Sequence, residues 1–115
     1  MRARLFILMG LVMAVVFSQC KKEETPIPAC IQQKIDSIKQ KPQTTPPVQL
    51  NVWDYNGRRV YLFSAGDTNS MPKAFDQNCL YVCAPSGGPF GYGDSLCADF
   101  YQAAIHRGLI WKDDR

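Results

Sequence analysis

Histidine is almost missing from this chain. The one imidazole, His106, has no obvious relay around it, whereas nucleophilic catalysis needs a nucleophile beside a base, and acid–base catalysis needs titrating groups with opposed pKa values. A Gly-x-Ser-x-Gly elbow is absent too, since Ser86 is followed by Gly87-Gly88 and preceded by Ala84-Pro85. Asp94 and Asp99 stand beside loop carbonyls, but there is no Asp-rich twelve-residue calcium loop; Asp94, or Ser95, reads as a helix cap, and no metal or cofactor is expected. Charge of one sign is scarce: without Arg2 and Arg4, 11 basic residues face 10 acidic ones. That balance excludes the basic footprint of a nucleic-acid-binding domain. Long apolar runs are short as well, the most extended being the 13 residues 5–17, where a membrane-spanning helix needs about 20.

What is present first is an address. Arg2 and Arg4, the apolar run and then Ser18-Gln19-Cys20 have the layout of a secretory signal. Phe17-Ser18-Gln19-Cys20 resembles the lipobox of bacterial lipoproteins, in which the signal is cut before a cysteine that receives acyl chains. The resemblance implies a signal peptide over residues 1–19 and lipidation of Cys20, with palmitate-type chains as a membrane anchor. Several acyl chains, at about 0.8 kcal/mol per buried CH₂, hold where a single chain would let go. Lys21-Lys22-Glu23-Glu24 is similar to the signal that exports Bacteroidetes lipoproteins to the outer face of the outer membrane. Residues 20–28 then form a lipidated tether, and residues 29–115 form one small domain. A core of that size is marginal without staples.

Export supplies them. Cys30, Cys79, Cys83 and Cys97 make an even set in an oxidising compartment, where disulfides outnumber zinc sites. Three of them bracket residues 79–100, which also hold four of the eight glycines. Cys79-Leu80-Tyr81-Val82-Cys83 alternates like a strand, which separates its two cysteines by roughly 13 Å and forbids a bond between them. Two pairings stay open, Cys30–Cys79 with Cys83–Cys97, or Cys30–Cys83 with Cys79–Cys97. The following loop carries Gly87, Gly88, Phe90, Tyr92 and Asp94. Its rings either cap the core or present a binding edge.

Apolar spacing predicts a helix over residues 29–41, with Cys30, Ile31, Lys34, Ile35 and Ile38 on one face and Pro42 as its stop. Asn56-Gly57 between two β-prone runs predicts a two-residue hairpin. Its register sets Leu50, Val52 and Asp54 opposite Phe63, Tyr61 and Arg59 on one face, and Trp53 and Tyr55 opposite Val60 and Arg58 on the other. Residues 64–77 read as an irregular crossing, residues 96–107 as a helix stopped by Gly108, and residues 109–111 as a last short strand. The expected order is α-β-β-β-α-β, an α+β domain with helices packed on an antiparallel sheet.

The Val82-Cys83-Ala84-Pro85-Ser86-Gly87-Gly88 run, Gly91-x-Gly93-Asp94, Cys97-x-Asp99-Phe100 and the tail from Leu109 to Arg115 together resemble a family of small Bacteroidetes lipoproteins that carry a domain of unknown function. The chain departs from that family's cysteine set in lacking a vicinal pair, the region reading Asp67-Thr68-Asn69-Ser70. The resemblance implies an address and no activity. The residues favour a monomeric, envelope-anchored binding or interaction module over a small envelope hydrolase or a thiol oxidoreductase using Cys79 or Cys83. The candidate contacts are the glycine loop with Trp53, Tyr55 and Trp111, and the partner is an envelope protein or an extracellular ligand. Cys20→Ser is expected to release the protein from the membrane fraction or to stall its processing. Normal maturation of that variant with unchanged membrane fractionation would remove the anchor.

Overall fold

A computed structural model describes residues 26–66 and 70–115. The expected signal, Cys20 and the charged part of the expected tether lie outside the described residues. No helix among the described residues is long and apolar enough to cross a membrane. The elements are α1 (Ala29–Lys39), β1 (Gln49–Tyr55), β2 (Arg58–Phe63), β3 (Lys73–Asp76), β4 (Tyr81–Cys83), α2 (Phe100–Ala103) and β5 (Ile105–Lys112). The strands form one antiparallel sheet in the order β4-β3-β2-β1-β5. Every described element and both disulfides lie in the chain from Lys21 onward.

The β1–β2 hairpin is the centre of the sheet. Asn56 and Gly57 both take positive φ, 52° and 77°, as a turn that matches the strand twist requires. The register is Leu50 with Phe63, Val52 with Tyr61, Trp53 with Val60, Asp54 with Arg59 and Tyr55 with Arg58, as the sequence predicts. Because successive side chains point to opposite faces, the hairpin is apolar on both sides. On one face Leu50, Val52, Tyr61 and Phe63 pack with Val48 and with Ile31 and Ile35 of α1. On the other, Tyr55, Val60 and Leu62 pack with Ala74, Cys83, Cys97 and Phe100.

Helix α1 presents the predicted stripe and stops before Pro42, which cannot continue it. Its last carbonyls would be orphaned. Arg115 serves them instead, donating to the carbonyl oxygens of Lys39 at 2.6 Å and Ile38 at 3.4 Å. Asp113, only 2% exposed, holds that guanidinium through both carboxylate oxygens at 2.8 Å. The last residues of the chain therefore clamp the first helix. The hydrogen bond from Arg115 keeps the Asp113 carboxyl below the usual carboxylate range.

Three expectations need correction. Residues 64–77 are not irregular throughout: β3 occupies Lys73–Asp76 and pairs with β2 from Val60–Asp76 to Phe63–Lys73, so the sheet has five strands. Its four residues, behind a Pro-containing stretch, are too few to show alternation. The predicted strand over residues 79–83 shrinks to Tyr81–Cys83, and Cys79 sits in a turn at φ 62° with its N–H bonded to the Asp76 carbonyl oxygen at 3.0 Å. The predicted helix over residues 96–107 collapses to the single turn Phe100–Ala103, because Ala104 is already extended and the chain goes straight into β5. Pairing with β1 outweighs the local helix preference of the alanines. Gly108 does not stop a helix. It lies within β5 opposite Val52, between two register shifts that leave Arg107 and Ile110 without cross-strand partners.

Both disulfides follow one of the two open pairings, Cys30–Cys79 and Cys83–Cys97, each with Cα atoms 6.0 Å apart. The first ties α1 to the β3–β4 turn, and the second ties the end of β4 to the segment before α2. Closing a loop of this second size contributes roughly 3 kcal/mol. Gly57→Val is expected to destabilise the domain by about 1–2 kcal/mol, since a β-branched residue is strained at positive φ. Thermal or denaturant unfolding measures this, and an unchanged midpoint would contradict the hairpin geometry.

Candidate functional site

The glycine loop begins where β4 ends. Ala84 and Pro85 are buried, and the chain then turns through Gly87, Gly88, Gly91 and Gly93, all with positive φ. Gly93 shows why the residue type matters. A Cβ there would stand 1.9 Å from the Ala84 carbonyl oxygen, so only glycine lets the returning strand of the loop come that close to its start. The approach is fixed by hydrogen bonds from the Gly93 N–H to the Gly87 carbonyl oxygen and from the Asp94 N–H to the Ala84 carbonyl oxygen, both 3.1 Å.

Asp94 is the clasp. One carboxylate oxygen accepts the Leu96 N–H at 3.1 Å and the other accepts the Tyr81 hydroxyl. Partial burial alone would push this carboxyl up. The bonds from Tyr81 and from the Leu96 and Ala84 backbone outweigh it and hold the group below the usual carboxylate range. With both oxygens engaged inside the protein, Asp94 acts as a loop fastener, and no group of three or more metal-ligating side chains occurs among the described residues. The same bond acts on Tyr81: desolvation of its hydroxyl and the nearby Asp94 push the phenol up to about 12.

The loop tip is open. Phe90 is 83% exposed and Tyr92 77% exposed, so the two rings do not cap the core. Leu96 and Tyr81, exposed as well, flank them at the Asp94 clasp. Tyr101, which sequence spacing assigns only to the predicted helix over residues 96–107, belongs to this site as well. It lies half-exposed over the loop base, its hydroxyl 3.2 Å from Ser86 Oγ.

The other candidates divide. Trp53 joins the loop side: it packs against Phe100, Tyr101 and His106 with ring centroids 5.2, 5.8 and 4.6 Å away. Trp53 and Gly87 line one cleft of about 440 Å³ with Asn51 and Tyr101. The Trp53 indole nitrogen is buried with no hydrogen-bond partner among the described residues. Tyr55 is core, its hydroxyl donating to Asp99 Oδ1 at 2.7 Å, a bond that raises its pKa; Asp99, rather than the expected Asp94 or Ser95, directly precedes α2. Trp111 packs on the opposite, α1-covered face and is separate from the loop. Gly88 lies against Met71.

Catalytic chemistry is poorly served by these groups. His106 is on β5 and not near a helix end, with Nε2 2.9 Å from Asn51 Oδ1 and its ring beside Trp53. Cys79 and Cys83, the thiols an oxidoreductase would use, are each tied in a disulfide. Asp54 is taken up by Arg107 at 2.5 Å and Arg59 at 3.3 Å, and the bond from Arg107 keeps its carboxyl low.

Residues 36–113 match the family described as a domain of unknown function, DUF6970. The chain belongs to this family. The DUF6970 region begins within α1 and ends at Asp113, so it contains the sheet, the glycine loop and the buried carboxylate that anchors Arg115. Neither a curated protein nor a solved structure matches.

The clasp makes a pH prediction. Tyr81 has a folded pKa above its unfolded value of about 10, so its contribution is complete below pH 10 and is lost as pH rises toward 12. Unfolding measured between these limits is expected to show a stability loss that shrinks in Tyr81→Phe. An ultraviolet phenolate titration is expected to lose a component near 12 in that variant. Identical alkaline profiles for the two proteins would contradict the clasp.

Proposed function

We propose that the protein is an envelope-anchored lipoprotein that acts as a binding module, with the glycine loop of its DUF6970 domain as the contact element. A signal over residues 1–19, lipid on Cys20 and a tether to Pro28 place a monomeric domain at the outer membrane, facing the cell surface, as in small Bacteroidetes lipoproteins. The sequence around Cys20 and Lys21-Lys22-Glu23-Glu24 supports this part.

The observation that carries the binding reading is the exposure of Phe90 and Tyr92 at the tip of a fastened loop. An aromatic pair left in water by a small domain costs solubility unless something covers it. Aromatic anchors contribute most to an interface when they are held in place before binding, because little side-chain and loop entropy is then lost. The partner is a protein of the envelope or an extracellular ligand.

The experiment uses the chain from Glu23 onward as bait against an envelope extract. A specific set of captured molecules is expected for the parent, and its loss for Phe90→Ala/Tyr92→Ala. The melting temperature should hold within a degree or so, since exposed side chains away from special features contribute little to stability. Capture of the same set by the double variant would place the contact surface elsewhere.

A further inference from the structure

On the opposite side of the molecule, a cleft of about 740 Å³ opens between α1 and the β2–β3 part of the sheet. None of its lining residues belongs to the glycine loop. Ile38, Phe63 and Phe75 supply apolar walls, and the Cys30–Cys79 disulfide closes one end. The volume lies within the range of small-molecule sites.

Three of the four charged residues that line it are lysines. Lys34, Lys41 and Lys73 line the cleft, and none of them has an ion pair among the described residues. Lys34 rests its ammonium 3.9 Å from the Phe75 ring centroid, a cation–π contact that holds the charge at the apolar wall. Among the described residues the acid in the lining is Asp113, and both of its oxygens are already held by Arg115. Three ammonium groups around one apolar cleft raise the local potential for anions, while the walls reward an apolar body.

We propose that this cleft binds an amphiphilic carboxylate, one apolar chain with one anionic head. The chain lies along the Ile38, Phe63 and Phe75 wall. The carboxylate takes charge-assisted hydrogen bonds from the lysines, which exchange solvent for a fixed partner. The site is independent of the glycine loop, so either can fail without the other.

The test titrates the oxidised chain from Lys21 onward with decanoate, below its aggregation threshold, by isothermal calorimetry. Decyltrimethylammonium, with the same chain and the opposite charge, is the comparison. Decanoate is expected to bind saturably at one site, and decyltrimethylammonium at least about tenfold more weakly. Lys34→Gln/Lys41→Gln/Lys73→Gln is expected to lose at least about tenfold in decanoate affinity while keeping its thermal unfolding midpoint, and Phe90→Ala/Tyr92→Ala to bind decanoate like the parent. The absence of saturable decanoate binding, equal binding of the cation, or undiminished binding by the folded triple variant would each overturn the proposal. Should the triple variant unfold, the three single Lys→Gln variants replace it, with weakened decanoate binding in at least two of them expected and full affinity in all three contradicting the site.

Discussion

Everything in this domain follows from the need to cover a β-hairpin that is apolar on both faces. Trp53, Tyr55, Val60 and Leu62 point one way, and Leu50, Val52, Tyr61 and Phe63 the other. Covering the second set takes one regular helix. The first set has only a four-residue helical turn and irregular chain above it, and such chain, left to itself, would carry unsatisfied backbone groups and much conformational entropy. The Cys83–Cys97 disulfide, itself part of the core, limits that entropy and brings Phe100 onto Val60 and Tyr55. The glycine loop is the chain left over between those two cysteines. Its rings are exposed because the staple, and not apolar burial, holds the loop down.

The parts legible from the sequence are those whose chemistry is local. Asn56-Gly57 dictates a turn through φ alone, and the turn dictates the register of twelve residues. The stripe of Ile31, Ile35 and Ile38 dictates which side of α1 is inward. The pairing of the cysteines was narrowed by the same kind of reasoning, although Cys79 meets Cys30 from a turn rather than from a strand. What could not be read depends on non-local pairing. Two bulges in β5 break its period of two, so Ile105 and Leu109 face solvent and the segment reads more like a helix than an edge strand. The four residues of β3 were hidden for want of length. Tyr81 and Tyr101 escaped notice because their importance comes from meeting Asp94 and Ser86 across the loop, which no spacing announces.

Two carboxylates, one buried and one partly exposed, share a logic. Asp113 and Asp94 each secure a piece of chain that regular secondary structure does not: the C-terminal arginine on α1, and the loop on Tyr81. In both, the hydrogen bonds received hold the carboxyl pKa down, so the fastening is complete above the ordinary carboxylate range of about 4 and weakens as pH falls through the lowered value; at the loop it is lost again where Tyr81 ionises, at about 12. Two disulfides and two carboxylate clasps thus do the work that a larger core does in a longer domain. They also leave two different surfaces, a protruding aromatic loop on one side and a lysine-rimmed cleft on the other.

The rigidity of the loop is therefore the central physical claim, because a contact element that is ordered before binding behaves differently from one that folds on its partner. Amide hydrogen exchange of the free, oxidised protein measures it directly. We expect the Gly93 and Asp94 N–H groups, which are bonded to the Gly87 and Ala84 carbonyl oxygens, to be protected to a degree close to that of the β1–β2 hairpin, and to lose that protection when the Cys83–Cys97 bond is reduced. Exchange of these two amides at the rate of an unstructured chain while the disulfide is intact would contradict the claim.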